Sequence, residues 1–344
     1  MEEKILLSFV IPCYRSEHTI RLVTDEIIET VSQRPEYDYE IICVNDCSPD
    51  GVYAILRALA EENPKIKVVD LMKNMGKHAA VLAGYSFAKG DYIVNLDDDC
   101  QCPVYELWKL LEPVEHDKAD VATARYHKKE QAVWKNVGSA INAWVGSFML
   151  DKPAGLRIEN FRVLKRIVAH EATKYPHPYP YIEGLILRVT NRIVMVDMYE
   201  RERTIGTSGY TFLKSFMLFL NGFTAFSVKP LRLATIIGFV TAFSGFLFFL
   251  RIIFHKLLYP ATQAGYSSIM SVLLFLGGLI MLFLGLIGEY VGRIYICLNR
   301  APQYVIRDTI NLSQPPAEQA YRKEVYCYAN SDDSWSQRVA DAVD

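Results

Sequence analysis

The chain has 344 residues, about half of them apolar, and a formal net charge of −2 at neutral pH. That length admits two domains or one domain with appendages, and a charge so near zero offers no electrostatic footprint for nucleic acid. Seven cysteines, an odd number at irregular spacings, do not read as a disulfide framework and point to a reducing compartment.

The first residues, "MEEKILLSFVIPCY", combine an acidic start with a strand-like run, so they are not read as a signal peptide. From there strand and helix patterns alternate. "ILLSFVIPCY", "YEIICVND", "IKVVDLM" and "DYIVNL" predict strands, while "TIRLVTDEIIETVSQ", "GVYAILRALAEE" and "HAAVLAGYSFAK" predict the helices between them. Such a run predicts right-handed βαβ units, hence an α/β domain with a mostly parallel sheet covered by helices. Ligands of these sheets bind beyond the carboxyl ends of the strands. Three polar clusters fall there: Tyr14–Glu17, Asn45–Asp50 and Asp97–Gln101. Neither a G-x-x-x-x-G-K-[ST] loop nor a G-x-G-x-x-G turn is present, which disfavours a P-loop NTPase and a dinucleotide dehydrogenase.

The third cluster, "VNLDDDCQCP", holds three adjacent carboxylates, Asp97, Asp98 and Asp99. Adjacent anions repel and raise one another's pKa. In an extended chain Asp97, Asp99 and Gln101 share one side and Asp98 faces the other. Two carboxylates and an amide oxygen suit a hard cation, Mg²⁺ or Mn²⁺; a solvated acidic turn is the competing reading. Cys100 and Cys102 find no second cysteine pair or nearby histidine to complete a zinc set.

Further along, Leu233–Leu250 and Ser267–Gly288 are uncharged over 18 and 22 residues. Each is long enough to cross a hydrocarbon core of about 30 Å, and two in succession predict a transmembrane hairpin. Lys229 and Arg232 before it, and Arg293 and Arg300 after it, put both ends in the cytoplasm, although Arg251 and Lys256 weaken the contrast. "TFLKSFMLFLNGFTAF" sets Phe212, Phe216, Phe219, Leu220 and Phe223 on one helical face and predicts an interfacial helix. "AVWKNVGSAINAWVGSFM" is a second amphipathic candidate, with core packing the equal alternative. "QYVIRD" predicts a strand available to a neighbouring subunit, which leaves a homo-oligomer open. The expected division is 1–210, a catalytic domain; 211–231, a juxtamembrane helix; 232–290, two transmembrane helices; and 291–344, a cytoplasmic tail.

Taken together, "SFVIPCYRSEHTI", "VNDCSPDG", "KNMGKHAAVLAGYSFAKGDYIVNLDDDCQCP", "ENFRVLKR" and "RTIGTSGYTFLKSFMLFLNGFTAFSVKPLR", followed by "GEYVGRIY", resemble family-two glycosyltransferases of the GT-A fold. The resemblance is to the membrane-anchored branch that makes polyprenyl-phosphate sugars, and it runs to about residue 305. It implies a nucleotide-sugar donor, with uridine preferred over guanosine, a polyprenyl phosphate acceptor in the bilayer, and Mg²⁺ or Mn²⁺. By position it implies nucleotide contacts from Pro12, Tyr14, Glu17, Asp46, Lys77, Asp97 and Asp98. It places the metal at Asp97, Asp99 and Gln101, with Asp99 nearest, and sets Arg203 against the donor diphosphate or the acceptor phosphate, with Ser208 and Tyr210 in the same loop as further acceptor-phosphate contacts or as caps of the next helix.

Six positions depart from the pattern: Arg15, Asn45, Cys47, Cys102, Thr207 and Asn160. Some relatives carry an aspartate at Asn160, proposed as a base; here the nearest carboxylate is Glu159. A phosphate monoester, with a second pKa of about 6, arrives already ionised and needs no base. The alternatives are transfer to a sugar hydroxyl, which does need one, and a non-catalytic membrane-anchored nucleotide-binding protein.

Overall fold

The computed structural model describes residues 4–126, 155–178, 180–199, 201, 229–258, 265–298 and 302–312. Strand β1 (Ile5–Cys13) is buried from Leu7 onward on both faces, which is why its sequence is a continuous apolar run and not an alternating one. The next elements are α1 (Ile20–Ser32), β2 (Tyr37–Asn45), α2 (Val52–Glu62), β3 (Ile66–Leu71), α3 (Lys77–Phe87) and β4 (Tyr92–Asn95), in the order and nearly the bounds that periodicity predicts. Helix α1 buries Ile20, Val23, Ile27 and Val31, one stripe at helical spacing.

A short 3₁₀ turn (Val104–Glu106) leads to α4 (Leu107–Glu115) and β5 (Val121–Tyr126), and later come β6 (Arg162–Lys165), α5 (Arg166–Thr173), α6 (Ile182–Val189) and β7 (Ile193–Met198). The sheet order is β7-β5-β6-β4-β1-β2-β3-β8, where β8 is Ile306–Ile310. Pairings among β4, β1, β2 and β3 are parallel, and β6 and β8 run antiparallel to their neighbours. Order reverses between β1 and β4, so the cleft opens at the carboxyl ends of those two strands.

Two cores cover the sheet. One packs β1 residues Leu7, Phe9 and Ile11 against α1, α2 and α4. The other packs Val10, Ile42 and Val44 against α3, α5 and α6. Helix α3 lies close because it presents small residues: a Cβ added to Gly84 would stand 2.4 Å from Val10 Cγ1.

Two long helices follow, α7 (Lys229–Leu258) and α8 (Tyr266–Leu298), each longer than its apolar run. They leave large apolar side chains exposed, among them Phe239, Phe243, Phe275 and Met281. Among the described residues, Phe275–Gly292 in α8 is the stretch apolar and long enough to cross a membrane. The strand expected in "QYVIRD" forms over Ile306–Ile310, and it pairs with β3 of its own chain. The two amphipathic segments within 132–149 and 211–226 lie outside the described residues.

Candidate active site

The three polar clusters meet at the carboxyl edge of the sheet. At the end of β1, the Tyr14 backbone N–H donates to Asp98 Oδ2 at 3.0 Å. Asp98 is thereby turned toward β1, away from the partners of Asp97. Desolvation pushes its carboxyl up to about 6, and the anionic neighbours Asp97 and Asp99 push the same way. Tyr14 is 42% exposed at the mouth, whereas Pro12 is buried within β1 opposite Val44.

Glu17 and Asp50 tie the loop after β1 to the start of α2. Gly51 N–H donates to Glu17 Oε2 at 2.8 Å, and Glu17 N–H donates to Asp50 Oδ2 at 3.1 Å. Glu17 therefore builds the wall of the cleft through the backbone of the second cluster.

Asp46, at the end of β2, accepts two backbone hydrogen bonds, from Met75 N–H at 2.7 Å and Gly76 N–H at 2.9 Å. Burial raises its pKa, and these two donors oppose the rise. A carboxylate has about four lone-pair sites, so both bonds leave it able to accept from a ring N–H. The loop after β3 is thus pinned to the carboxyl end of β2. It turns at Gly76, whose φ of +85° is a conformation glycine adopts without strain, and delivers Lys77 to the first turn of α3. The Lys77 ammonium forms an ion pair with Asp97 Oδ1.

The other oxygen of Asp97 is held from the segment just before β6. Asn160 Nδ2 donates to Asp97 Oδ2 at 3.0 Å. Asn95 Nδ2 in turn donates to the Asn160 carbonyl at 3.0 Å, and Tyr85 O–H donates to Asn95 Oδ1 at 3.4 Å. This buried chain of amides fixes Asp97 from behind. The motif alone did not assign Asn95 or Asn160 a role. The available signal was Asn95 itself, a polar residue inside the otherwise apolar strand "YIVN".

The extended geometry expected for Asp97–Gln101 does not form. Strand β4 stops at Asn95, and Cys100 has φ +60°, so the chain turns back and Gln101 N–H donates to Asp99 Oδ1 at 3.2 Å. Asp99 and Gln101 are therefore brought together by a turn and not by strand alternation. Gln101 is stitched to the far side of the site: its Nε2 donates to the Arg201 carbonyl at 3.4 Å, and Arg201 N–H donates back to the Gln101 carbonyl at 3.3 Å. The Arg201 guanidinium pairs with Glu26 and stands over the Tyr105 ring. Arg203, Ser208 and Tyr210 lie outside the described residues.

Among the described residues no three His, Cys, Asp or Glu side chains form a closed metal cage. Mg²⁺ is commonly held by one or two carboxylates with substrate phosphates and water completing its shell, so an open edge of this kind fits it. The fit has a direct sign: Asp97 Oδ1 is shut off from solvent and takes no aligned hydrogen bond, only the ammonium charge of Lys77. Cys102 is buried, with its thiol pushed up to about 12 by desolvation, and so is a poor ligand. Glu159 is partly buried, and its backbone N–H donates to Thr123 Oγ1 at 2.8 Å.

A mostly parallel sheet with aspartates at separate strand ends beside its switch point is the arrangement expected of a GT-A domain. Residues 8–172 match glycosyl transferase family 2, and residues 229–294 match the GtrB C-terminal hairpin. The glycosyltransferase YkcC of Bacillus subtilis is 31% identical over 312 residues, covering 91% of this chain and 96% of that protein. The SfII prophage-derived bactoprenol glucosyl transferase of Shigella flexneri is 30% identical over 308 residues, covering 88% and 97%. The undecaprenyl-phosphate 4-deoxy-4-formamido-L-arabinose transferase of Proteus mirabilis is 30% identical over 321 residues, covering 91% and 96%. The chain belongs to glycosyltransferase family 2, and it is a glycosyltransferase.

Proposed function

We propose that this enzyme transfers a sugar from a nucleotide-sugar donor, UDP-linked by preference, to a polyprenyl phosphate. Transfer occurs with inversion at the cytoplasmic face of the inner membrane and serves cell-envelope glycan modification. One observation carries the reading: a continuous set of contacts joins the end of β1 to Asp98, Asp97 to Lys77, and the loop before Lys77 to Asp46. These contacts support a donor site whose nucleoside and diphosphate ends share one cleft. The acceptor class is supported by relatives named for bactoprenol and undecaprenyl phosphate that align over nearly their whole lengths.

Asp97, Asp99 and Gln101 would hold Mg²⁺ or Mn²⁺, which supplies neutralisation of the departing nucleoside diphosphate. Asp46 binds the base. Arg203, with Ser208 and Tyr210, is assigned to the acceptor phosphate, where a guanidinium gives charge-assisted contacts. No residue needs to deprotonate the acceptor, because a phosphate monoester is ionised near neutral pH. The side-chain amide of Asn160 has no basic site, and it is already committed to Asp97. Catalysis then rests on positioning two bound reactants for in-line attack.

The test incubates membranes containing the full chain with a panel of radiolabelled nucleotide sugars, a short-chain polyprenyl phosphate and Mn²⁺. One donor should label the lipid, chelator should stop the labelling, and Asp99→Ala should abolish it while the protein stays in the membrane. Glu159→Gln should lose well under a hundredfold, since a required base contributes about 10²–10⁴-fold, whereas Arg203→Ala should be severe. Undiminished transfer in excess chelator defeats the metal assignment. A collapse in Glu159→Gln favours a hydroxyl acceptor.

A further inference from the structure

Lys77 and Asp97 make an ion pair in a place where the donor's own cation is expected, and this bears on how the site is loaded. The pair is only partly shielded, with side-chain exposures of 33% and 22%. Asp97 cannot turn away from it, because Asn160 holds Oδ2 at 3.0 Å and leaves Oδ1 facing the ammonium. Lys77, by contrast, is well placed to leave. It follows Gly76, which sits at φ +85° and has nothing within 4 Å of the position a Cβ would take. Its stem carries four rotatable bonds, and among the described residues its anchor is one charged contact. The backbone of the same loop is fixed one residue earlier by Asp46. The ammonium can therefore swing while the loop stays in place.

We propose that Lys77 is an exchangeable counter-ion: it occupies the cation position at Asp97 in the unliganded enzyme and is displaced when the divalent ion enters. This rests on the proposed metal site and adds to it an order of events. A cation arriving alone must break the Lys77–Asp97 pair and leaves an unpaired ammonium beside it, so it binds weakly. A cation arriving with a nucleoside diphosphate offers the released ammonium a new anion. Metal and nucleotide then favour one another's binding, and by linkage the factor is the same in both directions. Such an exchange keeps the acidic cleft neutralised without donor and restrains it from trapping divalent ions unproductively.

The test reads metal affinity, not turnover. Free Mn²⁺ is followed by its electron paramagnetic resonance signal during titration of the purified full-length protein, with and without UDP. In the wild type, Mn²⁺ should bind weakly alone and markedly tighter with UDP. Lys77→Met keeps the length and removes the charge; it should bind Mn²⁺ alone about tenfold tighter, because the pair coupling to be broken is on the order of one factor of ten. The tightening brought by UDP should shrink by a similar factor. Lys77→Arg, which retains a cation at Asp97, should behave as the wild type without UDP. If the wild type binds Mn²⁺ with UDP but Lys77→Met binds Mn²⁺ alone no tighter than the wild type, the exchange is refuted and the metal site stands. If the wild type takes up no Mn²⁺ even with UDP, the metal site itself is refuted, and the exchange falls with it.

Discussion

Asn45 and Asn160 depart from the family pattern in the same way, and the structure gives both the same reason. Each amide donates to one oxygen of an aspartate whose other oxygen meets a cation: Asn45 Nδ2 to Asp70 Oδ1 at 2.7 Å, and Asn160 Nδ2 to Asp97 Oδ2 at 3.0 Å. Asp70 is 1% exposed, and its second oxygen is met by Arg307. A carboxylate at position 45 would replace that donor with a second anion in a buried setting. Asn45→Asp should therefore destabilise the protein at pH 7.5 by about 2 kcal/mol, the scale of a lost buried hydrogen bond to a charged group. The crowded pair would share a proton, so one folded-state pKa rises above its unfolded value. Stability linked to a raised carboxyl pKa grows as pH falls, and the deficit should narrow from pH 7.5 toward pH 5. Thermal melts of variant and wild type at both pH values check the size and the sign. The sequence made the aspartates legible as a candidate site and the asparagines legible only as exceptions. Their partners stand 25 and 63 residues away, and no local pattern connects them.

Among the elements, strands and helices of the first hundred residues were readable because each buries an apolar run or stripe of the expected period. The turn after β4 was not, because it depends on Cys100 adopting a left-handed conformation that its sequence does not announce. Nor was the closeness of α3 to the sheet. That helix has little amphipathic contrast, since Ala79, Ala80, Val81, Leu82 and Ala83 are all buried. What sets its distance is Gly84, where an added Cβ would meet Val10 Cγ1 at 2.4 Å and Val44 Cγ2 at 3.3 Å. Gly84→Ala gains helix propensity of up to about 1 kcal/mol, but overpacking a filled core costs about 1–3 kcal/mol. The β1 side chain cannot retreat, because Val10 is itself fully buried. The net effect should be a loss of about 1–2 kcal/mol. Because α3 begins at Lys77, the shift should also weaken UDP binding, read by isothermal titration in the same samples. A variant as stable as the wild type would show that α3 can move freely off the sheet.

At the scale of the whole molecule, β8 constrains how the hairpin meets the membrane. Hydropathy alone marks Phe275–Gly292 among the described residues, and one crossing would be the minimal reading of that mark. Yet the chain passes through α7 and α8 and then returns to pair Ile310, Thr309 and Asp308 with Val68, Val69 and Asp70 of β3. Arg307 adds an ion pair to Asp70, and Asn311 Nδ2 donates to the carbonyls of Ala60 and Ile66 at 2.8 and 2.9 Å. A strand cannot join a sheet across a bilayer, so the number of crossings between residues 199 and 306 must be even. We propose that α7 supplies the second crossing, as its uncharged run is long enough to do, which would put the connection between the two helices on the side opposite the catalytic domain. A single cysteine introduced at Thr262, in a chain whose native cysteines are replaced by serine or alanine, should therefore react with a membrane-impermeant maleimide in intact cells. One introduced at Asp308, beside the sheet edge, should react only after permeabilisation. Labelling of both positions in intact cells, or of neither, would contradict the even crossing. In the predicted outcome, β8 fixes the second end of the hairpin to the same sheet that carries the donor cleft, so the membrane anchor grips the catalytic domain at two points of its chain.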